Sequence, residues 1–375
     1  MSFKPRATLP DTAFTLPARY YTDPAIFERE LDVFYRQMWI GVARADELPA
    51  PGAWISRRIA GDDIIIVRAG EGGDVRAFYN VCRHRGTSLC AGEAGAFAGA
   101  IRCPYHAWTY AYDGRLLGAP HMDGSPGFRR EDFPLNAVRA AVWDGFIFVC
   151  LSHAGPSLAD QLASLPDKFR PWQMGSLVRA HRIEYDVAAN WKLVVQNYNE
   201  CLHCPTLHPA LTKVSHYLSG ENEPIRPTYM GGRMDLNDGV ETMSMDGTCG
   251  TRRPLPGVSA DDQRRVYFYS VFPNFMIAPH PDYVLTHTLW PLAQNRTRIV
   301  CEWLVPADEA ASPDFDLSNA TTFWDLTNRQ DWQVCELAQA GISSRGYRPG
   351  PYSNREDLLY AFDRFVLEKL GETRT

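Results

Sequence analysis

Residues 80–90 read NVCRHRGTSLC and residues 103–116 read CPYHAWTYAYDGRL. Cys82 and His84 stand in the first stretch, Cys103 and His106 in the second, with 18 residues between the two pairs. Each pair offers one thiolate and one imidazole at a spacing that lets a single turn aim both at one metal centre. Two Cys and two His could bind zinc tetrahedrally. They could equally hold a [2Fe–2S] centre in which two His replace two Cys on one iron. Zinc fingers normally group the two Cys together and the two His together, whereas here each half mixes the types.

The chain around these loops has a short-strand texture. DDIIIVR (62–68), VRAFYNV (75–81), AIRCP (100–104), AWTYAY (107–112) and DGFIFVCL (144–151) alternate with Gly, Pro and Asp turns, which predicts a small all-β domain over 41–155. Before it, residues 1–18 form a Pro-rich arm. DPAIFERELDVFYRQMWI (23–40) then has helical spacing, with Pro24 as a start signal after Asp23. This arm and helix, 1–40, are expected to pack on the second domain. Residues 156–174 read as a helical connector. Beyond it come a helix, the strands RVYFYSVF, YVLTHTLWPL and RTRIVCEWLV, and a final pair of helices, an α+β module over 156–375.

At 375 residues the chain has room for two domains. Hydrophobic residues at 45% and charged residues at 22% exclude a disordered or coiled-coil chain. A net charge of −6 gives no basic field for nucleic acid. No apolar run long enough to span a membrane occurs, and the Pro-broken N-terminus lacks a signal-peptide core, so a cytoplasmic protein is expected. Nine cysteines in such a chain are expected to stay free for metals or chemistry.

The second module holds its own cluster. DVAANWKLVVQNYNECLHCPTLHP (186–209) predicts a helix from about 187 to 204, ended by Pro205. Gln196, Asn197, Glu200 and His203 fall at threes and fours on its polar side, and His208 swings back from the following turn. Cys201, His203, Cys204 and His208 could alternatively make a zinc knuckle, although Cys201 and Glu200 cannot both face His203. A carboxylate from elsewhere would complete a two-His-one-carboxylate site with open positions. The helix 321–340, with Gly341 as its C-cap, sets Asp331 in a stripe with Trp324, Thr327, Val334, Cys335 and Ala338. A carboxylate there must be paired, protonated or metal-bound. Asp325 reads as an ordinary surface residue.

The two quoted loops closely resemble the Rieske cluster-binding loops of ring-hydroxylating oxygenases. The order Glu200-x2-His203-x4-His208 with a distant Asp331 resembles the same family, closest to its glycine betaine, carnitine and stachydrine demethylase branch. Respiratory Rieske proteins carry an extra Cys in each loop; Tyr105 stands where the second would be, so the oxygenase type fits better. Ala107 replaces the family's usual Gly, a change expected to tighten packing.

The resemblance implies an N-terminal all-β Rieske domain joined to a helix-grip catalytic domain, an antiparallel sheet over a long helix. It implies that Cys82 and Cys103 bind one iron of the [2Fe–2S] cluster and His84 and His106 the other. His203, His208 and Asp331 would hold a mononuclear Fe(II) that uses O2. Glu200 would bridge electron transfer between chains of a homotrimer, facing His84 or His106 of the next chain, with Asn197 supporting the iron site. A separate flavin- or ferredoxin-type reductase would deliver electrons from NAD(P)H, since no GxGxxG follows a strand. The expected reaction is oxidative N-demethylation of a small betaine-like quaternary ammonium compound, releasing formaldehyde. Tyr198 is the first candidate for cation–π recognition and His287 a candidate for a substrate carboxylate. Hydroxylation of an aromatic ring or acid is the alternative reaction, and an electron carrier with a degenerate catalytic module is the rival from another class.

Overall fold

The computed structural model describes residues 8–70, 72 and 74–372; the first seven residues of the Pro-rich arm lie outside these. The chain divides into two compact units, Phe34–Asp160 and a second made of Met1–Val33 with Gln161–Thr375. The first boundary therefore falls at residue 34, earlier than the sequence reading. The expected helix 23–40 is shorter: Asp23 accepts a hydrogen bond from the Ala25 amide and Pro24 opens a helix that ends at Glu30. A widened turn follows over Leu31–Tyr35. Ile40 already pairs with Val149 in a strand, which fixes the end of any helical run.

The first unit contains strands β1 (Ile40–Arg44), β2 (Ala53–Ile59), β3 (Asp62–Arg68), β4 (Val75–Tyr79), β5 (Ala94–Ala96), β6 (Ile101–Arg102), β7 (Thr109–Tyr110), β8 (Leu116–Gly118), β9 (Ala137–Trp143) and β10 (Phe146–Cys150). Seven form one sheet in the order β1-β10-β9-β4-β3-β2-β5, while β6, β7 and β8 form a small second sheet. The run Ile64–Val67 is wholly buried, as a central strand covered on both faces must be. The segment holding Cys82 and His84 leaves β4, and that holding Cys103 and His106 joins β6 to β7. Both cysteines belong to an apolar cluster with Trp54, Phe78, Trp108 and Tyr110.

The second unit has strands β11 (Leu177–Val187), β12 (Glu221–Asn222), β13 (Tyr229–Asp235), β14 (Arg265–Val271), β15 (Phe275–Pro279), β16 (Val284–Ala293) and β17 (Arg296–Pro306). They form one antiparallel sheet in the order β11-β17-β16-β15-β14-β13-β12. A 25-residue helix, Ser318–Ile342, packs on it. This is the α+β, sheet-over-long-helix arrangement expected. Gly341 lies inside that helix and Ser343 caps it, so the predicted stop was early. The sequence reading also missed β11, β13 and β15. The connector consists of two short helices, Leu158–Leu162 and Leu165–Phe169, the first straddling the unit boundary. Among the described residues no helix is long and apolar enough to cross a membrane.

Candidate metal centres

The two loops of the first unit are the same turn made twice. The Cys82 amide donates to the Thr87 carbonyl at 2.8 Å and the Gly86 amide to the Cys82 carbonyl at 3.0 Å. The Cys103 amide donates to the Trp108 carbonyl at 2.8 Å and the Ala107 amide to the Cys103 carbonyl at 3.1 Å. Matching positions four residues after each Cys are left-handed, with φ +74° at Gly86 and +57° at Ala107. A left-handed position suits the Gly usual there in the family, and the methyl of Ala107 sits on a backbone conformation that disfavours it.

Both thiols are buried at 2% exposure, whereas His84 and His106 are half-buried, their rings 4.6 Å apart. His84 stacks on the indole of Trp108 at 4.8 Å, and its buried Nδ1 has no hydrogen-bond partner. Burial and the neighbouring His106 hold His84 below its ordinary pKa, keeping a neutral, donor-ready imidazole. Burial also pushes the Cys103 thiol up, although the Tyr105 and His106 backbone hydrogen-bonds to its sulfur. The Tyr110 hydroxyl lies 3.4 Å from the Cys82 sulfur and accepts from the Arg83 amide. Two buried thiols and two half-buried imidazoles, one with an orphaned nitrogen, fit a Rieske [2Fe–2S] group.

In the second unit the predicted 187–204 helix is broken in two. Val187 ends β11, and the helix proper is Trp191–Tyr198, capped by the Asn190 side chain. It stops because Asn199 turns back, its side-chain amide donating to the Val195 carbonyl at 2.6 Å and to the Ser270 hydroxyl at 2.8 Å. Residues 199–203 are therefore irregular, and a short helix Cys204–Leu207 follows, with His203 at its N-cap and His208 at its C-cap. The polar row dissolves accordingly. Gln196 is buried elsewhere, bonded to Tyr21 and Asp363, whereas Asn197 and Glu200 line a cavity of about 500 Å³.

His203, His208 and Asp331 meet on that cavity. Asp331 Oδ1 lies 2.9 Å from His208 Nε2 and 3.3 Å from His203 Nε2. Glu200 Oε1 is 2.6 Å from His203 Nδ1, and Glu200 also accepts from the Leu202 amide. Burial opposes charge on His203, but Asp331 and Glu200 outweigh it and push the imidazole up to about 10. Burial likewise opposes ionisation of Asp331, and the two imidazoles hold it below the usual carboxylate range. One carboxylate oxygen shared by two imidazole nitrogens is an incipient divalent-metal site, and its donor set suits non-haem iron.

Cys204 Sγ also lies within 4.8 Å of ring nitrogens of His203 and His208. It is disulfide-bonded to Cys201, however, so neither sulfur is a thiolate and the zinc-knuckle reading falls. That pair also departs from the expectation of free cysteines. Asp325, read as a surface residue, accepts from the Tyr185 hydroxyl at 2.9 Å and pairs with Arg329.

The cavity has an aromatic wall running Trp332, His287, Tyr198, Phe268 and Trp324, each ring 5.8–6.2 Å from the next. The Tyr198 hydroxyl is buried and unpartnered, so the residue presents carbon to the space. His287 cannot supply the cation assigned to it: burial, only partly countered by Asn328, pushes it down to about 4, leaving it neutral. Sequence reasoning missed Arg233 and Arg355, the cations that line the cavity. Arg233 is paired with Glu221 at 2.6 Å, and Arg355 is half-buried.

A cluster-binding β unit and a helix-grip unit with a two-His-one-carboxylate pocket together define an oxygenase of the Rieske type. Residues 174–372 match the ring hydroxylating alpha subunit catalytic domain and residues 38–134 the Rieske [2Fe–2S] domain, and the chain belongs to this family of oxidoreductases. The chain is 31% identical to the glycine betaine monooxygenase oxygenase subunit of Pseudomonas aeruginosa (strain UCBPP-PA14), over 96% of this chain and 91% of that one. It is 37% identical to the carnitine monooxygenase oxygenase subunit of Acinetobacter pittii, over 90% and 88%. Its fold matches a quaternary ammonium Rieske monooxygenase solved with L-carnitine, at TM-score 0.77 and 24% identity over 97% of this chain and 99% of that one. A Rieske cluster and a mononuclear iron, with O2 as co-substrate, are the cofactors of the family.

Proposed function

We propose that this chain is a monooxygenase that removes an N-methyl group, as formaldehyde, from a quaternary ammonium compound bearing a carboxylate. The observation that carries the reading is the aromatic wall beside the His203–His208–Asp331 cluster in one cavity. A quaternary ammonium has no N–H to donate, so only π faces and carboxylates can recognise it, at roughly 0.5–2 kcal/mol per aromatic contact. Tyr198, Phe268 and Trp324 line the cavity and would offer such faces, and Arg355, which lines it too, would meet a substrate carboxylate. The names of the glycine betaine and carnitine relatives support the same substrate class.

Cys82, His84, Cys103 and His106 would hold the cluster, and His203, His208 and Asp331 the iron. When bound, iron and cluster supply the electrons that reduce O2 while one oxygen atom enters a substrate C–H bond and the other leaves as water. Attached to nitrogen, the resulting hydroxymethyl group loses its O–H proton and breaks its C–N bond, giving formaldehyde and the demethylated amine. The chain's part is placement. The aromatic wall orients an N-methyl toward the cluster of His203, His208 and Asp331. The neutral His287 adds no charge to repel the ammonium, and Glu200 fixes His203 through its Nδ1. Glu200 is also our bridge for electrons arriving from a neighbouring chain of a homotrimer, with Asn197 beside it on the cavity. The designation of the relatives as oxygenase subunits supports a separate NAD(P)H reductase.

Calorimetric titration of the iron-loaded protein with glycine betaine, carnitine, choline, aromatic acids and 3,3-dimethylbutyrate tests the reading. The last compound is glycine betaine with carbon replacing the cationic nitrogen. A betaine should bind at least tenfold more tightly than this isostere, which keeps the carboxylate and lacks the cationic charge. Equal binding, or preference for an aromatic acid, would overturn the quaternary ammonium assignment in favour of aromatic hydroxylation.

A further inference from the structure

Both ring nitrogens of His208 are gripped by consecutive residues of the long helix. Nε2 faces Asp331 Oδ1 at 2.9 Å, and Nδ1 faces Gln330 Oε1 at 2.8 Å. The imidazole is buried at 1% exposure, so water does not compete for either contact. We infer that Gln330 is the positioning residue of the mononuclear iron site, an inference that rests on His208 being an iron ligand.

The tautomer of His208 decides which nitrogen can bind a metal. A neutral imidazole carries one N–H and one lone pair, and the partner of one nitrogen decides what the other can do. An amide oxygen at Nδ1 accepts only from an N–H. Asp331 Oδ1 at Nε2 likewise accepts from an N–H, so a metal bound at Nε2 would replace that proton, and Gln330 would hold the remaining one on Nδ1. The 25-residue helix gives the contact its rigidity, because ligand and orienter are neighbours on one continuous backbone. His203 solves the same problem differently: its Nδ1 is held by Glu200, a carboxylate on the irregular segment three residues away. The two imidazoles thus have an anionic and a neutral partner. A neutral partner fixes the tautomer of His208 without adding a third carboxylate to a site already holding Asp331 and Glu200. Removing such partners of metal-bound histidines typically costs about 10–100-fold in metal affinity.

The test compares iron affinity in three variants by anaerobic competition with a chelator, reading the cluster absorbance of the same samples as an internal control. Gln330→Leu keeps the approximate size and loses the acceptor. It should bind mononuclear iron about 10–100-fold more weakly, with unchanged cluster content and unchanged circular dichroism. Gln330→Glu restores an acceptor oxygen and should recover affinity to within a few-fold of wild type. The EPR spectrum of the nitric oxide adduct should shift in Gln330→Leu and return toward wild type in Gln330→Glu. Wild-type affinity in Gln330→Leu, or an equal loss in both variants, would overturn the tautomer argument. His208→Ala identifies failure at the earlier step: unchanged iron affinity there would remove His208 from the ligand set and the inference with it. None of these readouts depends on the substrate, so they stand apart from the titrations above.

Discussion

The two candidate metal sites are built in opposite ways. The cluster site would take its four proposed ligands from two copies of one tight turn, each stabilised by its own pair of backbone hydrogen bonds. The iron site would draw two proposed ligands from the ends of a four-residue helix and the third from 123 residues after His208 on the long helix. The first is assembled by local backbone geometry and the second by the packing of a whole sheet-and-helix unit. Local sites tolerate loss of distant structure, whereas assembled sites depend on every element that sets their spacing.

The sharpest way to break this contrast is to delete one site and measure the other. Asp331→Ala should lose its mononuclear iron and all turnover while keeping two irons and two acid-labile sulfides per chain. Cys103→Ala should do the reverse at the cluster. Loss of both centres in either variant would show that the sites are not separately built. Next in size is Glu200→Ala, which should keep its cluster, bind mononuclear iron more weakly but still fill the site in excess iron, and when so loaded lose at least about 10–100-fold in substrate-coupled turnover. Undiminished product formation would remove Glu200 from the electron path.

Smaller effects probe the walls. Tyr198→Leu should weaken betaine binding about 2- to 30-fold, the span of one cation–π contact at about 1.4 kcal/mol per tenfold, with choline and betaine affected alike. Buried neutral histidines give the second unit an acid limit. Burial pushes His280 down to about 3, so the unfolded chain, with an ordinary imidazole near 6.5, binds more protons as pH falls below that value. Stability of this unit should decline from about pH 6.5 downward, and His280→Gln should flatten that slope in thermal melts. The smallest effect is in the cluster loops. Ala107→Gly removes an αL penalty of about 1–2 kcal/mol and adds unfolded-state entropy worth about 0.5–1, a net gain of roughly 0–1.5 kcal/mol for the first unit. A lower melting temperature would refute the repeated-turn account of this loop.

The same contrast explains what the sequence disclosed. Cys82, His84, Cys103 and His106 were legible because their geometry lies within six residues of chain on each side. His203 and His208 were legible for the same reason; strand and helix periodicity disclosed an α+β module, whereas its sheet-over-helix arrangement came from the family resemblance. The break at Asn199 was not, because it depends on a side chain bonding back to Val195 and across to Ser270 on β14. The neutral state of His287 comes from burial under a helix distant in sequence, and Gln330 acquires its partner only when that helix docks. The Cys201–Cys204 disulfide ran against composition, which argued for free thiols.

The most direct test of the account is a single turnover. The protein, with both centres loaded, is reduced anaerobically, freed of reductant, and exposed to oxygen with one betaine, after which formaldehyde and cluster oxidation are quantified together. The account predicts formaldehyde in proportion to oxidised cluster, and none with the carbon isostere. Cluster oxidation without formaldehyde from any N-methyl compound, accompanied by a hydroxylated aromatic acid, would contradict it.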